Sequence, residues 1–274
     1  MNRNAYLQAL GITPWRLRDS TPDNLSELPV DTKQSGEVGN VKDATASEAS
    51  QFTQTNRTHS ELTVDNETLK QSETFVASQQ IDTSKLSKMD LMALRATVNV
   101  CTLCEIHQTR KQTVFGEGHH KADWFIVTEA PSADEEREGK AFVGPSGVLL
   151  TQMLRAIGLT REEVFITNII KCRTLNNRDP LSEEIHACGH YLQRQIEYVG
   201  PKIILCLGRV AAHALLETDV PVSKIRGQTY TYEKYADIPL MVTYHPAYLL
   251  RSPKEKTKVW EDLKLARSTF MSVS

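Results

Sequence analysis

The run Trp124-Phe125-Ile126-Val127, followed by Thr128-Glu129-Ala130-Pro131, decides how the rest of the chain is read. Four consecutive apolar residues of aromatic and β-branched type are the pattern of a strand buried on both faces, and the Pro ends it. Val164-Phe165-Ile166, Ile203-Ile204-Leu205-Cys206-Leu207 and Pro239-Leu240-Met241-Val242 repeat that pattern. Between these runs the period becomes helical. Leu149, Leu150, Met153, Leu154 and Ile157 form one stripe, with Ser146 able to cap its start and Gly158 its end. Ser182 opens a second helix whose Ile185, Cys188, Leu192, Ile196 and Val199 fall close to one face. Strands alternating with helices predict an α/β fold, a three-layer sandwich with a mostly parallel central sheet flanked by helices.

Ligands of such folds bind beyond the carboxyl ends of the strands. Glu129, Asn168, Gly208 and His245 each stand at the end of a strand run or just after it. Four separate segments therefore aim at one crevice.

Composition bounds the rest. The 274 residues are 40% hydrophobic, enough to bury a core, and carry a formal net charge of -2. That charge is uneven: residues 21–85 hold eleven Asp and Glu against five Lys and Arg, which leaves the remainder of the chain at +4. An anion-binding face is compatible with this distribution. Residues 21–85 are dominated by Ser, Thr, Gln, Asn and acidic side chains, with Phe52 and Phe75 the only aromatics, and are expected to form a disordered linker. Ahead of it, residues 1–20 include Tyr6, Leu7, Leu10, Ile12 and Trp15, an apolar set suited to docking on a partner or packing back on the main domain. Residues 86–274 form that domain. No apolar run nears the roughly 20 residues of a membrane span, and the first residues lack a signal peptide's apolar core, so a cytoplasmic location is expected.

Five cysteines in a reducing compartment favour metal binding or burial over disulfides. Cys101 and Cys104 form a C-x2-C pair that one tight turn can present to a metal centre, and Cys172 and Cys188 are available to complete it. Spacing alone leaves zinc, an iron-sulfur cluster and a redox pair open. Cys206, inside a strand run, reads as core.

Three segments carry a resemblance: Glu129-Ala130-Pro131 with Phe142-Val143-Gly144, then Thr167-Asn168-Ile169-Ile170-Lys171-Cys172-Arg173, then Thr243-Tyr244-His245-Pro246-Ala247-Tyr248-Leu249-Leu250-Arg251. From about Leu91 to the end, the chain resembles the iron-sulfur branch, family 4, of the uracil-DNA glycosylases. The resemblance implies a monomeric DNA repair enzyme that acts on uracil-containing DNA, extrudes the deoxyuridine and hydrolyses its glycosidic bond, leaving an abasic site. It implies that Phe142 stacks on the uracil and that Asn168 reads its N3–H and O4. His245 donates to O2, where charge develops, and Ala130 and Gly208 line the substrate pocket. It assigns Cys101, Cys104, Cys172 and Cys188 to a 4Fe-4S cluster of structural role. Other branches carry a catalytic Asp where Ala130 stands, so water activation falls to Glu129 first and Glu135 second. Arg251, with Lys254, Lys256 and Lys258 beyond it, is placed to meet phosphates, and Tyr248, Leu249 and Leu250 to fill the gap in the base stack.

The chain departs from that pattern where Thr128 and Ser132 replace two glycines and Thr174-Leu175 replace two prolines, which bears on rate more than on fold. Ser223-Lys224-Ile225-Arg226-Gly227-Gln228 contains no His, against covalent capture of the DNA as in a related branch. An alternative to catalysis is a module that binds uracil or abasic DNA without cleaving it. Residues 1–20 also resemble the N-terminal peptide of the psi subunit of DNA polymerase III, which implies docking on the clamp-loader collar.

Overall fold

The computed structural model describes residues 83–273, with the side chains of 83 and 84 excepted. The docking peptide expected at 1–20 and nearly all of the linker expected at 21–85 lie outside the described residues. Within them the elements run α1 (Thr83–Leu86), α2 (Leu91–Asn99), β1 (Glu117–Gly118), β2 (Trp124–Thr128), α3 (Ala133–Glu138), α4 (Gly144–Ala156), β3 (Val164–Asn168), α5 (Ser182–Val199) and β4 (Ile203–Leu207). They continue through α6 (Arg209–Leu216), α7 (Val222–Ile225), β5 (Thr229–Tyr232), β6 (Ile238–Thr243), α8 (Pro246–Arg251) and α9 (Lys256–Val273).

The four apolar runs are β2, β3, β4 and β6, and they form the parallel interior of a six-stranded sheet of order β1-β3-β2-β4-β6-β5. Strands β1 and β5 pair antiparallel at the two edges, so the sheet is mixed. Side chains of a strand alternate between faces, and the core divides accordingly. Phe125, Val127, Phe165 and Ile204 join Leu94, Leu192 and Ile196 in one cluster, with α2 and α5 against it. Trp124, Ile126, Ile166 and Leu205 join Leu150, Met153, Leu154 and Leu263 in another, with α4 and α9. Cys206 is fully buried in β4.

Helix α4 begins two residues before the expected cap. Val143 is its N-cap and Pro145 lies in its first turn, where proline's missing N–H costs nothing, so Ser146 is already helical. Ile157 caps its end and Gly158 follows at φ +81°, as the stripe predicted. Helix α5 buries Tyr191, Leu192, Gln195, Ile196 and Val199, while Ile185 and Cys188 lie half-buried along the same side.

Register delivers the functional segments to one edge. Thr128 lies opposite Asn168 across β2 and β3, and Leu207 lies opposite Thr243 across β4 and β6. The chain beyond each strand therefore leaves the sheet at a common level. The end of β6 is braced from below: fully buried Asp262 accepts from Thr243 Oγ1 (2.6 Å) and from Arg226 Nε (2.9 Å). Removing one partner of a buried ion pair leaves the other charge uncompensated. Arg226→Met should lower unfolding stability by about 3–5 kcal/mol in chemical denaturation, and a change under about 1 kcal/mol would show that the pair is not holding β6.

Candidate active site

The strand ends open on a pocket of about 210 Å³ lined by Thr128, Glu129, Glu135, Phe142, Asn168 and His245 among others. It adjoins a groove of about 780 Å³ that shares Glu129, Ala130, Ser132, His245 and Ala247 with it and extends along Arg178, Gly208, Arg209, Tyr248 and Arg251. A cavity of about 840 Å³ lies elsewhere, lined by His186, His190 and His213. It takes in none of the unsatisfied buried polar atoms of the described residues, so the smaller pocket is the better candidate.

Asn168 closes β3 and is 0% exposed, yet neither its amide oxygen nor its nitrogen has a hydrogen-bond partner. Its register partner Thr128 also buries an unpartnered hydroxyl. Unsatisfied buried polar groups cost about 1–3 kcal/mol each, so their presence at a pocket marks a ligand surface. The strand end is held from beneath. Lys171, 1% exposed, sends Nζ to Thr167 Oγ1, Gln195 Oε1 and the Asn168 carbonyl, each at 2.7 Å. An ammonium has three donors, and three acceptors meet it. Burial nonetheless pushes the Lys171 pKa down to about 7.

His245 caps α8: its Nδ1 accepts from the Ala247 N–H at 3.1 Å, which leaves the proton of the neutral ring on Nε2. The half-buried ring stacks on Phe142 with centroids 5.3 Å apart. Desolvation in the crevice pushes its pKa down to about 4, with Glu135 opposing and Arg251 reinforcing the shift. Glu129 lies at the start of α6, where the Val210 N–H donates to its Oε1 at 3.3 Å. Burial raises its pKa against that bond. Gly208 makes the approach possible. At φ +92° it suits no other residue well, and a Cβ there would lie 2.6 Å from Glu129 Oε1 and 3.1 Å from His245 Cβ.

The geometry bears on two expected roles. Glu135 has both oxygens engaged by backbone: Oε2 accepts from the Ser132 N–H (2.7 Å) in a capping box, and Oε1 from the Phe142 N–H (2.5 Å). It shapes the loop, and each oxygen keeps one lone pair beyond these bonds. Leu249 is 0% exposed in the core, because the first turns of α8 press it onto α4, so it cannot enter a base stack. Its neighbours Tyr248 and Leu250 are exposed. Beyond them, Lys258 is engaged with Glu255 at 2.7 Å.

Phe142, 4% exposed, has φ +53°. A non-glycine residue in the left-handed region costs of order 1–3 kcal/mol and persists only where its surroundings enforce it. Here Arg161, which sequence reading passed over, donates to the Phe142 and Ala141 carbonyls.

Cys101, Cys104, Cys172 and Cys188 line one cavity with Arg110, Lys171 and Tyr191, on the other side of Lys171 from Asn168. Among the described residues no three His, Cys, Asp or Glu form a single-ion site. Two of the sulfurs already accept N–H bonds, Cys172 from Arg110 Nη1 (3.4 Å) and Cys188 from the Lys171 N–H (3.3 Å). Burial pushes Cys172 up to about 11 and Cys188 to about 12, so a cationic centre is needed to hold them as thiolates.

Residues 115–264 match the family model described as Uracil DNA glycosylase superfamily. Similar proteins include the type-4 uracil-DNA glycosylase of Archaeoglobus fulgidus, 42% identical over 169 residues, covering 60% of this chain and 85% of the relative. That of Sulfurisphaera tokodaii is 43% identical over 183 residues, 65% and 83% of the two chains, and that of Thermotoga maritima 39% over 174 residues, 62% and 90%.

The lowered pKa and the Ala247 bond predict a His245 ring that stays neutral, with its proton on Nε2, from pH 8 down to 5. Imidazole ¹⁵N NMR would read this directly, and titration near the ordinary value of about 6.5 would contradict it.

Proposed function

The chain belongs to the uracil DNA glycosylase superfamily, and from that premise we propose that it is a type-4 enzyme that excises uracil from DNA and leaves an abasic site. The carrying observation is Asn168, a fully buried amide at a pocket floor with both polar atoms unpartnered. Uracil offers a donor at N3 beside an acceptor at O4, the complement of one amide. Cytosine presents the inverse pattern, and a wrong base leaves the buried amide unpaired.

The groove takes the DNA strand, and the pocket takes the extruded nucleotide. Phe142 stacks on the base. When the C1′–N1 bond breaks, its electron pair leaves with the uracil and the sugar becomes oxocarbenium-like. His245 donates from Nε2 to O2, where the negative charge gathers; a neutral donor suits this because it keeps its proton throughout. Glu129 holds the attacking water and faces the sugar cation; the water's oxygen forms the new bond to C1′ and its surplus proton passes to Glu129 and on to solvent, while the uracil anion takes a proton from solvent on release. Ala130 lines the groove without a group that could substitute. Arg251 and Tyr248, on the groove, meet the flanking strand.

Cys101, Cys104, Cys172 and Cys188 would hold a 4Fe-4S cluster, which supplies a cross-link between α2, the segment after β3 and α5; hydrolysis needs no electron from it. The two apolar clusters on opposite faces support a three-layer sandwich. Residues 1–20, joined by the acidic linker 21–85, are read as a tether to the clamp-loader collar on their resemblance to the psi-subunit peptide.

Wild type should release uracil from an oligonucleotide, while Asn168→Ala and His245→Ala fall by roughly a hundredfold or more. Tight binding with no release would favour the non-catalytic module. Glu129 must be ionised and its pKa is raised, so the rate should fall as pH drops through that raised value, and this limb should vanish in Glu129→Gln. An inflection near 6.5 that survives in that variant would move the assignment elsewhere. Cys172→Ala should lose bound iron and its visible absorbance; unchanged iron content would remove Cys172 from the ligand set. Deleting residues 1–20 should abolish pull-down of clamp-loader subunits, and undiminished capture would end the tether reading.

A further inference from the structure

Phe142 holds its left-handed conformation because each side of its peptide is fixed. Its N–H is bound by Glu135 Oε1 at 2.5 Å. Its carbonyl accepts from Arg161 Nη1 at 3.1 Å, and the Ala141 carbonyl from Arg161 Nη2 at 2.7 Å. A Cβ on Gly147 would lie 1.8 Å from the same Phe142 oxygen, so that carbonyl is seated on the first turn of α4. Arg161 Nη2 also bonds Glu117 Oε1 at 2.6 Å. Glu117 belongs to β1 and lies opposite Ile166 of β3, two positions before Asn168. A continuous set of contacts thus runs from the strand ending in Asn168, through Glu117 and Arg161, to the peptide that carries the Phe142 ring.

We infer that Arg161 is a positioning residue for base excision, fixing the Phe142 ring relative to the pocket floor, with Glu117 orienting its guanidinium. The inference rests on the proposed stacking of Phe142 on the extruded base. An exposed Arg–Glu pair contributes little by itself, but here one planar fork meets two carbonyls and a carboxylate, and its side chain is mostly buried. An ammonium has the charge without the fork. Without Arg161 the carbonyl side loses its two donors and only the Glu135 bond and the Gly147 seat remain, so the Phe142 φ relaxes toward negative values and rotation about N–Cα moves the ring relative to the base. Arg161 lines neither the pocket nor the groove, so its effect on the reaction passes through Phe142.

A double-mutant cycle on the cluster-loaded full chain tests this, using Arg161→Met, Arg161→Lys, Phe142→Leu and the Arg161→Met/Phe142→Leu pair. Single-turnover uracil release should fall roughly ten- to hundredfold in Arg161→Met, recover in part in Arg161→Lys, and cost no more than about twofold more when Phe142 is already Leu. Equal losses in both backgrounds would overturn the inference and leave the glycosylase reading standing. Fluorophenylalanine labelling gives a readout free of activity. Of the seven Phe resonances, the one missing in Phe142→Leu should shift or broaden in Arg161→Met, and an unchanged line would overturn the inference. If wild type releases no uracil, the glycosylase reading fails and that line alone decides whether Arg161 locks the ring.

Discussion

A buried ammonium needs three acceptors, and the way Lys171 finds them organises the centre of this molecule. Its side chain reaches back to the end of β3 at Thr167 and Asn168 and across to Gln195 on α5, while its backbone N–H turns to Cys188. Gln195 and Thr167 in turn bond the Phe115 carbonyl, which ties the segment before β1 into the same knot. The residue that carries the unpartnered Asn168 amide and the cysteine cavity are thereby both tied to Lys171. Replacing any acceptor would leave a desolvated charge short of a partner, so the knot tolerates little change.

Around that knot the crevice separates charge by environment. Glu129 sits at a helix N-terminus, where the Val210 N–H supports its ionised form against burial. His245, 3.1 Å from its helix's Ala247 N–H through Nδ1, is kept neutral by desolvation. One group has a donor that favours its charge while burial opposes it, the other keeps a fixed proton, and the difference follows from what each side chain faces rather than from residue type.

The interior strands were legible from sequence because a strand buried on both faces must be apolar throughout. The edge strands were not. Glu117–Gly118 is two residues long and Thr229–Tyr232 is largely polar, as edges facing water tend to be. The convergence of Glu129, Asn168, Gly208 and His245 was legible too, since parallel strands end at one level. The bond from the Phe142 N–H to Glu135 was not legible because it is set by the fold of a loop. Leu249 was misread because three consecutive side chains on a six-residue helix show no period. Arg161 lies 19 residues from Phe142, and nothing local in either segment announces the contact. The Thr128 hydroxyl, visible in sequence only as a replaced glycine, proves to face the pocket floor.

Helix α8 joins two surfaces through one short element. His245 is its cap, Leu249 is its anchor in the core, and Tyr248 and Leu250 are its exposed face. The imidazole that lines the pocket and the side chains that face outward are therefore held by the same buried leucine, so any change that loosens Leu249 is felt at both.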